Sequence, residues 1–302
     1  MGKTREIKKR IKAVGNIRRI TNTMRMIATS KFARAQAAAT ATKPYTEGLF
    51  GLVTELAATA GDLSHPLISG PEGVKRQPVE LTLVITSDRG LCGPYNSSVL
   101  RRAMVHFRAT PAAKDGRLEL VGKKGAAFMK YNGLKVAQQH AFGDKPTFEK
   151  IETLAQSYID RFISGEVSAV RIVYMKFHSP GRQTAETVQL LPLKPPQPPA
   201  ADKKPGGTGG GTPGTYATLY EFSPPAEELL GDLLPATVKA TLFQCFNDAI
   251  VSEHVARMIA MKAATDNAGK MRKLLTRDYN RARQAQITTE LSEIIAGAAA
   301  LG

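Results

Sequence analysis

Apolar residues at Ile7, Ile11, Val14, Ile17, Ile20, Met24 and Ile27 follow one another at steps of three or four. That spacing gathers them on one side of an α-helix and leaves the polar residues on the others. Between Ile7 and Ala41 there is no proline and a single glycine, Gly15. After Ile27 the stripe continues in small residues, Ala28, Ala33, Ala35, Ala37, Ala38 and Ala39, and Pro44 is expected to mark a local break or kink. The other end of the chain repeats the pattern. Beyond Pro235 no further proline occurs, and Val251, Val255, Met258, Met261 and Thr265 keep the four/three rhythm, as do Ile287, Leu291, Ile294, Ala298 and Leu301. A periodic run much longer than ~25 residues reads as a coiled coil, with two or three shorter bundled helices as the alternative. Some 50 helical residues would make a rod of roughly 75 Å. The small-residue seams of the two ends predict that these helices pair, antiparallel, with each other.

The middle of the chain has a different texture. Residues 79–86 (VELTLVIT), 118–121, 135–141, 169–177 and 187–193 read as strands, with helical patterns at 97–108, 124–131 and 148–163. Strand and helix in alternation predict an α/β layer with a largely parallel sheet. Residues 195–215 (PPQPPAADKKPGGTGGGTPGT) lack any large apolar side chain and are expected to form a mobile loop, before strand texture resumes at 216–222. The expected organisation is an N-terminal coiled-coil helix over 1–60, an α/β domain over 75–194 and 216–223, an insertion over 195–215, and a C-terminal coiled-coil helix over 226–302. The fold class is therefore α/β, a Rossmann-like layer joined to a long antiparallel coiled coil.

Charge adds a functional constraint. The 302 residues carry a formal charge of +16, and residues 1–45 hold twelve Lys and Arg against Glu6 alone, a local excess of +11. Such a block seeks an anionic partner: nucleic acid, acidic lipid or an acidic protein surface. An Arg-rich, acid-poor start is also the composition of a transit peptide, but this periodicity runs well past a transit peptide's usual end. No apolar run approaches a membrane span, and two cysteines, Cys92 and Cys245, are too few for a disulfide framework or a four-thiolate zinc site.

Catalytic readings fare poorly. Residues 209–214 spell G-x-G-x-x-G but neither follow a strand nor open a helix, and no phosphate-loop G-x-x-x-x-G-K-[ST] occurs. Cys92 follows a strand end and has Arg89 nearby, which would lower a thiol pKa. No histidine is near it, however, and a small buried thiol in a tight turn is the simpler reading. His65, His106, His140, His178 and His254 show no metal-ligand spacing. The sequence points to an interaction or mechanical protein with no catalytic, cofactor or metal residues of its own.

Three segments in order carry a family resemblance: 7–36 (IKKRIKAVGNIRRITNTMRMIATSKFARAQ), 86–96 (TSDRGLCGPYN) and 252–301, which contains AMKAATDN and YNRARQAQITTELSEIIAGAAA. Together they resemble the γ subunits of F-type ATP synthases. The departures are the 195–215 insertion and Ala268, where many relatives have glycine. The resemblance implies a coiled-coil shaft inside a ring of α and β subunits, and a foot beside the ε subunit and the membrane c-ring. Proton flow would turn the shaft and drive each β subunit through its binding states. It further implies that Arg10, Met24, Arg25, Arg283, Gln284, Thr288 and Glu290 contact β, and that Asp88, Arg89, Gly90, Leu91, Cys92 and Gly93 form the family motif of the foot. Ile287, Leu291, Ile294 and Leu301 would serve coiled-coil packing or an apolar sleeve around the shaft tip. The implied location is peripheral, on the cytoplasmic side of a bacterial membrane, with no cofactor and no nucleic acid. The competing class is a nucleic-acid-binding protein with a basic coiled-coil arm. Only Phe32 and Tyr45 among residues 1–45 are aromatic, which disfavours a base-stacking platform.

Overall fold

A computed structural model describes residues 2–60, 65–70, 77–114, 116–143, 146–193 and 226–299. The insertion at 195–215, the strand expected at 216–222 and Leu301 lie outside the described residues. In chain order the elements are α1 (Gly2–Ala60), α2 (Pro66–Ser69), β1 (Glu80–Ile85), α3 (Tyr95–Ala109), α4 (Pro111–Lys114), β2 (Arg117–Val121), α5 (Lys123–Tyr131), β3 (Val136–His140), α6 (Phe148–Ile163), β4 (Ala169–Ser179), β5 (Arg182–Leu191) and α7 (Ala226–Ala299). They divide into a sheet unit, Ala35–Arg89 with Tyr95–Ser252, and a helical unit, Met1–Arg34 with Gly90–Pro94 and Glu253–Gly302.

In the sheet unit the strands are ordered β3-β2-β1-β4-β5. The pairs within β3-β2-β1-β4 are parallel, and β4 and β5 form an antiparallel pair. The centre of the sheet is buried on both faces, which is why β1 reads as a nearly continuous apolar run. Leu81, Leu83 and Ile85 on β1 and Val170, Ile172 and Tyr174 on β4 join one core cluster. α6 supplies Ile151, Tyr158 and Phe162 to it, and α7 supplies Leu230, Leu234, Val238, Leu242 and Phe246. The start of α7 thus lies on the sheet as a core helix, and Ser252 Oγ donates to the Met175 carbonyl of β4 at 3.2 Å.

Helix α1 does not stop or break at Pro44; it runs on to Ala60. The proline forfeits one backbone hydrogen bond, a cost of about 3 kcal/mol in a helix interior. Burial at Ala39, Thr46, Leu49, Val53 and Leu56 holds the helix on either side of it. Each fully buried aliphatic side chain stabilises by about 1.5–3 kcal/mol, so packing wins.

In the helical unit α1 and α7 pair antiparallel. Thr4 Oγ1 donates to Gln286 Oε1 at 3.0 Å, and the hydroxyls of Thr21 and Thr265 meet at 2.9 Å. The seam differs from the expected apolar stripe. On α1, half-burial or burial falls at Ile7, Ile11, Val14, Thr21, Arg25 and Ala28; on α7 it falls at Met258, Met261, Thr265, Ala268, Leu275, Tyr279, Ala282 and Gln286. Both follow a heptad rhythm. Ile17, Ile20 and Ile27 lie off it, at 52%, 57% and 53% exposure. Two successive steps of three, from Val14 to Ile20, fall ~120° short of two full turns, whereas the seven-residue step to Thr21 falls only ~20° short. The seam therefore keeps the threonine and turns the isoleucines outward.

Candidate partner-binding surfaces

The carboxyl ends of parallel strands are where doubly wound sheets hold ligands. Here the chain's own groups fill that place. Gly122 lies at φ +91° before α5, and a Cβ on it would come within 2.3 Å of the Thr86 carbonyl oxygen. Thr86 Oγ1 donates to the Val121 carbonyl at 2.7 Å and accepts from the Gly125 N–H at 3.0 Å. The Asp88 carboxylate accepts from the Lys123 N–H at 3.2 Å. A hydroxyl and a carboxylate thus occupy the helix N-terminus that in a nucleotide-binding relative of this layer would receive phosphate. The motif expected from sequence acts as a structural plug at this point. Ser87 supports it: its backbone N–H donates to Asn96 Oδ1 at 3.0 Å and its hydroxyl to the Arg89 carbonyl at 2.7 Å.

The rest of the motif belongs to the helical unit. Leu91 and Gly93 adopt positive φ, 63° and 55°, giving a turn tight enough to lay 90–94 on α7. A Cβ on Gly93 would sit 3.7 Å from that of Ala260. Arg257 donates to the Gly90 carbonyl at 3.5 Å while pairing with Glu253 at 2.7 Å. Cys92 is buried, as the packing reading expected and as a nucleophile would not be. Burial pushes the Cys245 thiol up to about 12, with a hydrogen bond from Tyr174 opposing the shift, so it is an inert core thiol. Among the described residues no group of three or more His, Cys, Asp or Glu is placed to hold a metal ion.

The residues expected to meet a partner do not form one pocket. Arg10 is exposed and its guanidinium donates to Glu6 at 2.6 Å. Met24 and Arg25 are half-buried, with Arg25 donating to Asn22 Oδ1 at 3.0 Å. On α7, Arg283, Gln284, Thr288 and Glu290 are all exposed. Glu290 accepts from Gln286 Nε2 at 2.8 Å, and Gln286 in turn accepts from Thr4, so this carboxylate is fixed by the last rung of the helix pair. Beyond that rung every described position from Ile287 to Ala299 is exposed, including Ile287, Leu291 and Ile294. Their heptad spacing does not serve packing against α1. With Ile17, Ile20, Met26, Ile27, Met271 and Leu274 they form apolar outer faces among basic side chains, an amount of exposed apolar surface that marks an interaction site. The sequence stripe concealed this because it assigned three of these isoleucines to the seam.

Two buried carboxylates in the sheet unit were not expected from sequence. Glu119 accepts from His140 at 2.6 Å, Tyr158 at 2.7 Å and Arg161 at 2.8 Å. Burial pushes its carboxyl up, but these hydrogen bonds outweigh that and hold it below the usual range. Glu80 meets His106 at 2.5 Å and Arg171 at 3.1 Å. A charged residue inside the apolar runs of β1 and β2 was the available signal.

A family model described as ATP synthase matches residues 3–301. The chain is 40% identical over 303 residues to an ATP synthase gamma chain of Rhodopirellula baltica, covering 100% of this chain and 99% of that one. It is 37% identical to the gamma chain of Leptospira biflexa, covering both in full. The fold is similar to that in a mitochondrial ATP synthase structure of Euglena gracilis containing OSCP, F1 and c-ring (TM-score 0.63, 18% identity, 99% of this chain and 95% of that one). It is also similar to a central stalk and c-ring structure from Tetrahymena thermophila (TM-score 0.54, 18% identity, 81% and 99%). The comparisons give the nucleic-acid reading no support. With relatives matched end to end and one family model spanning nearly every residue, the chain belongs to the ATP synthase gamma chains.

Proposed function

We propose that this chain is the central rotor shaft of an F-type ATP synthase, coupling proton flow through a membrane c-ring to ATP synthesis and hydrolysis in a ring of α and β subunits. The observation that carries the reading is the α1–α7 pair of the helical unit, which packs one heptad seam yet leaves Ile17, Ile20, Ile27, Met271, Leu274, Ile287, Leu291 and Ile294 exposed. Helices built this way are complete only inside a partner. A turning, asymmetric surface changes which contacts each β subunit makes, and so biases that subunit among its binding states. The basic face of α1 supplies attraction to acidic loops of β, where complementary charge sets register and approach. Arg10, Met24, Arg25, Arg283, Gln284, Thr288 and Glu290 are the side chains assigned to β, and the exposed aliphatic end of α7 to an apolar bearing. The sheet unit is the foot, beside the ε subunit and c-ring. ATP chemistry belongs to the partner; the chain itself is non-catalytic. No helix among the described residues is long and apolar enough to cross a membrane, and membrane association is assigned to the c-ring.

The test is reconstitution with the α and β subunits of the same source. The expected result is one copy of the chain per ring and ATP turnover that depends on it. A chain that fails to enter the ring, and instead binds DNA with steep salt dependence, would overturn the reading.

A further inference from the structure

A cleft of about 340 Å³ opens in the sheet unit where α7 meets α1 and α6. Two rings line it, Tyr45 of α1 and Phe148 of α6, and both are exposed, at 61% and 42%. Phe148 is steadied edge-on by Phe243, with ring centroids 5.3 Å apart. From α7 come Gly231, Asp232, Pro235 and Lys239. Pro235 lies inside the helix and has no N–H, so the Gly231 carbonyl, four residues back, loses its helical donor. Gly231 has no side chain to cover that carbonyl, and a Cβ built on it would meet nothing within 4 Å.

Asp232, the next residue, is exposed and makes no hydrogen bond or ion pair among the described residues. It stands past the first turn of α7, where the attraction of a helix N-terminus for a carboxylate has faded. Lys239 lies two turns further on, about 10 Å along the axis, and is already held by Glu152 at 3.0 Å. The lining thus sets two carboxylates against one ammonium, in a chain of net charge +16. One carboxylate and one backbone carbonyl, adjacent in the chain, are left as acceptors beside two aromatic rings.

We propose that this cleft receives the guanidinium of an arginine side chain from a partner protein. A guanidinium carries only donors, in a planar fork that fits the Asp232 carboxylate and leaves an N–H for the Gly231 carbonyl. Its flat face stacks on an aromatic ring, which a lysine ammonium, a compact and strongly hydrated point charge, does not match. An anion would meet the charge of Asp232, and a neutral ligand would leave that charge unanswered. The exposure of both rings decides the source. A site for a free small molecule encloses about 70–90% of its ligand, whereas this cleft is open and is completed by the surface that brings the arginine. The inference goes beyond the shaft reading and does not rest on it, since it concerns the foot's own surface.

The experiment is fluorine NMR of the full chain with a fluorotyrosine placed at position 45, titrated with the peptide acetyl-Gly-Arg-Gly-amide. The resonance should shift and saturate. The citrulline peptide, of the same shape but uncharged, and the lysine peptide should each bind about tenfold more weakly. Asp232→Asn should weaken the arginine peptide by about tenfold, while Asp160→Asn, an exposed carboxylate of α6 outside the cleft, should change nothing. Equal binding of the arginine and citrulline peptides, or an undiminished response in Asp232→Asn, would overturn the proposal. Agmatine binding about tenfold more tightly than the peptide would overturn it too, by assigning the cleft to a free guanidino compound. Should the variant not fold, the three wild-type peptide titrations decide by themselves.

Discussion

Glu119 joins β2 to His140 on β3 and to Tyr158 and Arg161 on α6. Because its carboxyl is held below the usual range, its contribution is present above the ordinary carboxylate value and lost as pH falls through the folded one. Glu119→Gln should cost about 3 kcal/mol at pH 7 and flatten the acid limb of urea unfolding, since it leaves Arg161 half-buried without its charge partner. Equal unfolding midpoints for variant and wild type from pH 3 to 7 would remove Glu119 from the account. At the other end of the chain, Arg283, Gln284 and Glu290 are exposed. If each grips a β loop by charge-assisted hydrogen bonds, each contributes roughly 1.5–3 kcal/mol to state-dependent contact. Changing all three to Ala should preserve helix content, as alanine is the best helix former, and lower ATP turnover per assembled complex. Full turnover would leave the shaft to act through shape and its basic face. These residues and the 88–93 motif were legible only through the family resemblance, not through spacing or composition. The Glu119 cluster was hidden because its partners stand 21, 39 and 42 residues away along the chain.

Among the elements, α1 carries both the clearest success of the sequence pattern and its clearest limit. Its helical period was legible from Ile7 onward, and the strand and helix texture of the middle gave the parallel layer with ends shifted by a few residues, since local composition sets strand texture directly. Which isoleucines faced α7 was not legible. Hydrophobicity alone cannot distinguish a side chain packed against an intramolecular partner from one kept for another subunit. Replacing Ile17, Ile20 and Ile27 together with Gln should therefore leave the helix pair intact by circular dichroism. It should weaken capture of the chain by an α–β ring at least tenfold, because three outward aliphatic groups are worth more than the 1.4 kcal/mol that a factor of ten requires. Loss of helix content would place them back in the seam. Pro44 offers a second check: Pro44→Ala restores a backbone donor within a continuous helix and should slow amide exchange at residues 45–48. Unchanged or faster exchange there would mean that the helix depends on the proline.

For the molecule as a whole, the +16 charge, the outward aliphatic faces and the plugged ligand end of the sheet describe a chain made to be held and turned rather than to bind a small substrate. The two units each contain part of α1 and part of α7. The measurement that bears most directly on this is rotation. The α–β ring is fixed to a surface, a bead is attached through a cysteine introduced at exposed Tyr131 of the sheet unit, and ATP is supplied. The account predicts continuous rotation in one direction, in discrete steps, at a rate that follows ATP concentration. Steady ATP hydrolysis by the assembled ring with a bead that only fluctuates in place would contradict it.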